Sequence, residues 1–508
     1  MSPLSSLYRP SLALLTDLYE LTMAYGYWRS GAGEQEAVFS LSFRHNPFGG
    51  GFSVACGLGL AVEYLEGLRF HPEDLAFLAG LPGNDGRPLF PPAFLDFLGG
   101  LTFECDVDAV PEGTVVFPQE PLLRVRGPLI QAQIVESALL DLINFQTLIA
   151  TKAARVCLAA GGDPVIELGL RRAQGVDGAL TASRAAYVGG CDGTSNVLAG
   201  RLYGIPVKGT HAHSWVMAFD SEREAFRAYA EAMPNNCVFL VDTYDTLEGV
   251  RHAVEVGRSL QAAGHRLAGI RLDSGDLAYL SGEARRRLDQ AGFADATILA
   301  SNDLDERVIE SLKQQGAKID AWGVGTRLVT GYDEPALGGV YKLSAIRRPG
   351  EPWRFPIKLS EQTIKISTPG LLAVRRFAAH GEILGDLIYD EALGIESPAV
   401  LVDPADMTRR KVMPEGTPAT DLLAPVFRRG RRVGDLLSLD QARQRVKDQL
   451  AGFHPGIKRF VYPHLYPVGL ERRLHERKTA LVLEARGRSR SATAVPVPAT
   501  PSDLEEPV

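Results

Sequence analysis

Between Pro164 and Thr326 the chain repeats one pattern: a short apolar run, then residues able to do chemistry, then a helix-like stretch. The run ends carry Arg171 and Arg172; Asp192, Thr194 and Ser195; Thr210, His211 and His213; Asp242 and Thr243; Arg271, Asp273 and Asp276; Ser301, Asn302 and Asp303; and Gly323, Gly325 and Thr326. Arginine offers bidentate donors to carboxylate or phosphate. Carboxylates hold Mg²⁺ beside substrate phosphates, and glycine-rich turns let backbone N–H groups approach a phosphate. Gly325 alone would be a tight turn, and Arg271 with Asp273 alone a structural ion pair. Seven such ends in succession point to an anionic, phosphate-bearing ligand with a bridging Mg²⁺.

The pair His211 and His213 supports three readings. On a strand, residues i and i+2 point to one side, so H-x-H suits a metal pair. The later run ends offer no further histidine to complete such a set. A core histidine satisfied by hydrogen bonds is the second reading. An imidazole that accepts a phosphoryl group is the third.

The elements that position these residues follow from the pattern. Apolar runs near residues 165, 187, 206, 239, 269, 298 and 323 recur at about 20 to 30 residues, the pitch of a βα unit. Near-continuous apolar strands alternating with helices predict a parallel sheet covered by helices, and chemistry gathered at strand C-terminal ends favours a (β/α) barrel. A doubly wound dinucleotide fold would want strand–G-x-G-x-x-G–helix, and Gly57-Leu58-Gly59 lacks the third glycine. Upstream, TDLYELTMAYGYW reads as a helix capped by Thr16, and FECDVDAV, GTVVFP and PLLRVRGP read as strands. A helix is predicted from Ile130 to Ala160. Beyond residue 350, PIKLSEQTIKIS, LAVRRF and GEILGDLIYD, with GGVYKLSAIRR just before, read as antiparallel strands, and periodicity is lost from 486 onward.

The 508 residues are 45% hydrophobic and 23% charged, which excludes a largely disordered chain, a collagen-like repeat and a small disulfide scaffold. Net charge is −7, from 54 Lys+Arg against 61 Asp+Glu, so no nucleic-acid partner is indicated. Cys56, Cys105, Cys157, Cys191 and Cys237 are scattered without a C-x-x-C spacing and read as reduced thiols. No leader peptide or membrane span is recognised, and a cytoplasmic location is expected.

Against this background, TDLYELTMAYGYW, FRHNPFGGGFSVACGL, ELGLRRAQGVDGALTASRAAYVGGCDGTSNVLAG, GTHAHSW, LVDTYDT, GIRLDSGDL, GVGTRLVT and YPHLYPVGL stand in the order found in nicotinate phosphoribosyltransferases. The chain resembles that family over nearly all its ordered length. The resemblance implies an α/β fold: an irregular (β/α) barrel of the type II phosphoribosyltransferase kind, with an additional α/β domain built from N-terminal and post-barrel chain. The corresponding divisions are 1–129, a barrel over 130–345, a post-barrel region over 346–485 that partly completes the N-terminal domain, and a disordered tail over 486–508.

The same resemblance implies a homodimer with a shared active site, to which Tyr19 is contributed across the interface. His213 matches the phosphorylated histidine, with Thr210 near the pyridine carboxylate. Arg171 and Arg271 match arginines facing the nicotinate and phosphoribosyl groups, and Asp273 the carboxylate near the ribose and Mg-pyrophosphate. Gly325 and Thr326 fall where the 5-phosphate is held, with Asn302 and Asp303 alongside. Ser367 stands for a hydroxyl residue, usually Thr, that contacts phosphoribosyl pyrophosphate. Mg²⁺, carried by the phosphates with no protein-only site, and ATP as co-substrate complete the implied set. Nicotinamide-using relatives carry an acid after a Gly-Thr pair; here that position is Ser195, after Gly193-Thr194, which suits an anionic substrate. The implied reaction forms nicotinate mononucleotide and pyrophosphate, coupled to ATP hydrolysis, as the first step of NAD synthesis from nicotinate. The rivals are a nicotinamide phosphoribosyltransferase, a metal-dependent hydrolase using H-x-H, and a non-enzymatic phosphosugar-binding barrel.

Overall fold

The computed structural model describes residues 12–404 and 406–492. Six parallel strands form the central sheet, in the spatial order Gly193–Thr194, Val165–Glu167, Ala321–Val324, Thr297–Ala300, Gly269–Leu272 and Val238–Leu240. Ile166, Phe239, Ile270, Ile298, Trp322 and Val324 are all buried, which is why these strands read as unbroken apolar runs. Fully burying a Val, Ile or Phe side chain is worth about 1.5–3 kcal/mol. Val207 adds a parallel bridge to Thr194 at one edge. Across the remaining gap the Leu240 N–H donates to His211 Nε2 at 3.2 Å. The chain beyond the Val207 bridge thus meets the opposite edge of the sheet through a side chain rather than a strand ladder, an arrangement consistent with an irregular barrel.

Two of the seven expected strands are shorter or elsewhere. The run near 187 belongs to the helix Gly175–Val188, and the strand of that unit is only Gly193–Thr194. The run near 206 contributes the single bridge at Val207.

A second sheet, antiparallel throughout, orders Gly339–Arg347, Glu36–Phe43, Leu123–Pro128, Asp106–Ala109, Ala424–Arg428 and Arg431–Arg432. Post-barrel chain thus completes the N-terminal layer, as the fold class implied, and residue 345 falls inside one of its strands. A third sheet holds Leu372–Ala379 and Glu382–Asp390 as an antiparallel pair, with Val468–Glu471 parallel to the latter. PIKLSEQTIKIS forms no strand; only a 3₁₀ turn, Thr363–Lys365, lies within it.

The helix expected from Ile130 to Ala160 is two, Leu129–Ile134 and Glu136–Ala160. The longer one is apolar around much of its girth because it serves two cores. Ala138, Leu139 and Ile143 pack with the N-terminal layer, while Ile149, Ala153 and Val156 pack with the parallel sheet. By length and a mean hydropathy of 1.3 the span 129–160 could cross a membrane, yet 61% of its apolar window is buried inside the fold. The first described helix is Leu18–Ser30 with Asp17, not Thr16, at its N-cap; the Thr16 hydroxyl instead donates to Ile134 O. The last is Arg472–Ala492, so residues 486–492 of the expected disordered tail are helical. Residues 493–508 of that tail lie outside the described residues.

Candidate active site

All the parallel strands point their C-terminal ends the same way, and the turns leaving them converge. Arg271, on the strand Gly269–Leu272, is the hub. Its Nε donates to Ser301 Oγ at 2.8 Å, Nη1 to Thr210 Oγ1 at 3.2 Å and Nη2 to Asp273 Oδ1 at 2.8 Å. A guanidinium has five N–H donors, so two remain for a ligand. Ser301 Oγ also donates to Asp273 Oδ1. Burial pushes the Asp273 carboxyl up, but the Ser301 hydroxyl and the Arg271 guanidinium outweigh it and hold the group below the usual carboxylate range.

His213 opens the helix His213–Met217 and is partly exposed. Its Nδ1 is 3.1 Å from Thr243 Oγ1, and its Nε2 faces Asp273 Oδ2 at 3.7 Å. Asp242 supports this floor: its Oδ2 accepts from the Asp273 N–H at 2.8 Å and from Ser274 Oγ at 2.6 Å. The other oxygen, Asp242 Oδ1, is buried without a partner. Among the described residues no group of three or more His, Cys, Asp and Glu side chains gathers as a metal cage. An oxygen-only pair such as Asp242 and Asp273 instead fits Mg²⁺ that arrives with phosphates.

His211 does different work from His213. It is 8% exposed, hydrogen-bonded to Leu240 as described, and burial lowers its pKa. The two rings do not share a strand face, because no strand forms at 209–212 and a helix starts at His213. The H-x-H metal reading fails on that geometry, and the core reading holds for His211.

The neighbouring strand ends supply the opposite wall. Asn302 has φ +111°, a left-handed value that a non-glycine residue adopts rarely and that clusters at functional turns. Asn302 and Asp303 are both exposed. Gly325 starts the single helical turn Thr326–Val329, and a Cβ there would meet Leu168 O at 3.3 Å. Leu168 leads into the turn Leu170–Arg172, where Arg171 is exposed without a partner among the described residues. Buried Glu167 holds that turn and the next one together. Its Oε1 accepts from the Gly169 N–H, and its Oε2 from Ser183 Oγ at 2.9 Å and Thr194 Oγ1 at 2.6 Å. Ser195 follows, its N–H donating to Glu167 O at 2.9 Å. Glu167 was missed by the sequence reading; its signal is a lone charge inside the apolar run PVIELGL. Ser274 was missed as well, although it sits within DSGD.

Among the described residues no hydrogen bond or ion pair joins Tyr19 or Ser367 to this cluster. Tyr19 is 47% exposed on the helix Leu18–Ser30, where burial and the carboxylates of Glu136 and Glu20 push its phenol up to about 12. Ser367 Oγ accepts from the Lys358 N–H at 2.9 Å. Nearby Ile364 borders a separate cavity of about 400 Å³ whose lining includes Arg44, Arg409, Arg410, Lys411 and Lys478 against Asp403. Burial without a countercharge lowers Lys478 to about 8.

The chain is similar to known proteins over most of its length. The nicotinate phosphoribosyltransferase (NAPRTase) N-terminal domain matches residues 14–144, the nicotinate phosphoribosyltransferase (NAPRTase) family domain 165–351, and the nicotinate phosphoribosyltransferase C-terminal domain 372–478. A nicotinate phosphoribosyltransferase of Bacillus subtilis (strain 168) is 44% identical over 487 residues, covering 94% of this chain and 96% of its own. The chain belongs to the nicotinate phosphoribosyltransferase family. The Mus musculus member is 37% identical over 93% of this chain and 97% of its own. The crystal structure of human nicotinic acid phosphoribosyltransferase superposes with a TM-score of 0.79 at 33% identity, covering 92% of this chain and 99% of that one. A nicotinate-nucleotide pyrophosphorylase from Pyrococcus furiosus, 21% identical with a TM-score of 0.62, shares the fold.

Proposed function

We propose that the chain transfers the phosphoribosyl group of phosphoribosyl pyrophosphate to nicotinate, giving nicotinate mononucleotide and pyrophosphate, the first step of NAD synthesis from nicotinate, in the cytoplasm. The observation that carries this is the Arg271–Asp273–Ser301–Thr210 constellation beside His213, at the strand ends of a chain whose relatives bear that activity by name. Arg271 keeps two N–H donors for an anion. As pyrophosphate departs, positive charge develops at C1 of the ribose, and an Asp273 held ionised stabilises it electrostatically. The pyridine nitrogen then attacks C1 from the opposite face. Mg²⁺, when bound with the phosphates, neutralises the leaving group, and Asp273 with Asp242 would hold it. Ser195 leaves the substrate carboxylate unopposed where an acid would repel it.

His213 is the residue proposed to accept a phosphoryl group from ATP. It is partly exposed, and its two nitrogens face Thr243 and Asp273. Phosphorylation would favour the tight-binding state, and hydrolysis would favour release. The site is proposed to be shared in a homodimer, with Tyr19 and the Ser367 segment of one copy completing the strand-end face of the other. Exposed Val197, Leu198, Leu202, Val207, Met217 and Tyr244 follow the strand ends and support burial of that face.

The test is turnover with nicotinate or nicotinamide, with and without ATP. Nicotinate mononucleotide should form and ATP should raise its rate; product from nicotinamide alone refutes the substrate. His213→Ala should abolish the ATP stimulation while leaving basal transfer measurable. A His213→Ala enzyme still activated by ATP refutes the role of that histidine.

A further inference from the structure

The helix Glu136–Ala160 carries two buried cations that the chemistry above leaves unused. Lys152 is 0% exposed and Arg155 likewise. Lys152 Nζ lies 2.8 Å from Glu306 Oε2 and 3.0 Å from Asp333 Oδ2, and Arg155 Nε lies 2.8 Å from Glu306 Oε1. Beyond them, Arg327 Nη1 pairs with Asp305 Oδ2 at 3.1 Å and approaches Asp333 Oδ1 at 3.9 Å. Three cations and three carboxylates form one continuous lattice. Burial pushes Glu306 and Asp333 up, but Lys152 and its neighbouring arginines outweigh it, so both stay below the usual carboxylate range.

The lattice ends on the two turns that form the far wall of the site. Asp305 follows Asn302 and Asp303, and its Oδ1 caps the helix Glu306–Gln314 by accepting from the N–H groups of Arg307 at 3.0 Å and Val308 at 2.8 Å. Arg327 follows Gly325 and Thr326 inside a single helical turn. One turn of helix does not hold itself, because nucleation fixes several dihedrals for one hydrogen bond. Buried Leu328 and Val329 anchor this turn in the core, and Arg327, whose guanidinium also lies 4.7 Å from the Tyr332 ring, ties it to the lattice. Asp333 is the link between Arg327 and Lys152.

We propose that Lys152 is a positioning residue for the phosphate-holding turn Gly325–Thr326, acting through Asp333 and Arg327. This rests on the reading that the turn takes the 5-phosphate of phosphoribosyl pyrophosphate. Without the Lys152 charge, Asp333 keeps only the more distant Arg327 and Arg307, and buried Glu306 keeps only Arg155, so the lattice gains net negative charge next to an anion site. On the nicotinate side, Thr210 and Arg271 make no hydrogen bond or ion pair with the lattice among the described residues.

Lys152→Met keeps the length of the side chain and removes its charge. The KM for phosphoribosyl pyrophosphate, and its Kd by titration with Mg²⁺ present, should rise about tenfold while the KM for nicotinate stays within about twofold. Asp333→Asn should raise the phosphoribosyl pyrophosphate KM by about threefold, and the double variant, neutral again, should lose less than the product of the two single losses. A role in packing alone predicts independent losses and no difference between substrates. Unchanged affinity for phosphoribosyl pyrophosphate in folded Lys152→Met, or multiplicative losses, overturns the proposal. If Lys152→Met does not fold, Asp333→Asn carries the test, since its side chain is 36% exposed and Lys152 keeps Glu306; an unchanged KM there overturns the proposal as well. Wild-type protein inactive on nicotinate refutes the substrate reading instead, and the titration still decides the role of Lys152.

Discussion

His211 and His213 stand one residue apart, and the backbone between them passes from an unpaired segment into a helix. His213 is left facing Asp273 and Thr243 with an accessible edge. His211 turns inward and accepts the Leu240 N–H through Nε2, so its proton sits on Nδ1, 3.3 Å from Ala212 O. A second proton on Nε2 would set donor against donor at the seam of the barrel. Burial lowers the pKa of His211, helped by Arg271 and His213 and opposed by its bond to Ala212. A group whose folded pKa is depressed binds fewer protons folded than unfolded, so stability is present above the unfolded value of about 6.5 and is lost as pH falls through the folded one. His211→Gln, which keeps an acceptor and does not titrate, should flatten that loss. Denaturant midpoints at about pH 7.5 and 5.5 check it; equal slopes in both proteins would sink the assignment.

The elements differ in how much of them can be read in advance, for reasons visible in single residues. Strands at 238–240, 269–272, 297–300 and 321–324 are legible because both their faces are covered. That placed Thr210, Arg271, Asp273 and Asn302 at one mouth before any geometry was known. Ala182, Ala185, Ala186 and Val188 are equally apolar but form a helix buried on several sides, and a short apolar run does not reveal its period. The pairing of Gly339–Arg347 with Glu36–Phe43 spans some three hundred residues and leaves no local trace. Tyr19 and Ser367 were legible only through resemblance, since neither lies at a strand end. The junction of the outer sheets was not legible either. There buried Arg376 pairs with Asp386, which also accepts from Tyr466 Oη at 2.8 Å, while the Glu120 carboxyl lies beside Asp386 and its Oε1 has no donor. Burial, reinforced by the Asp386 carboxylate, pushes Glu120 well above the usual range. Its proton supplies the missing donor. A raised carboxyl pKa contributes stability below the unfolded value, about 4.3, that drains away as pH rises toward the folded one. Glu120→Gln carries the donor permanently. It should melt higher than wild type at about pH 9 and show a shallower pH dependence above neutrality; a lower melting temperature at that pH would refute the shared proton.

At the scale of the whole molecule, a net charge of −7 sits on a protein built to take polyanions. The cations that matter are local: Arg271 and Arg171 at the strand ends, and Arg44, Arg409, Arg410, Lys411 and Lys478 around the separate cavity. Among the described residues no hydrogen bond or ion pair links these two cationic faces, and none links Tyr19 to His213. The two-fold dimer proposed above would bridge both separations at once, because each copy would offer one face and receive the other. That arrangement has a quantitative consequence. In that dimer Tyr19→Ala would remove an aromatic donated across the interface, and His213→Ala the group proposed to couple ATP on the receiving side. Each variant alone should lose ATP-stimulated turnover. Mixed after reversible dissociation, half of the dimers pair one variant with the other, and in each of these one site carries both defects while its twin carries none. Such a mixture should regain about a quarter of the ATP-stimulated activity of the wild type. If both residues instead served one site within a single chain, every site in the mixture would stay defective and nothing would be regained.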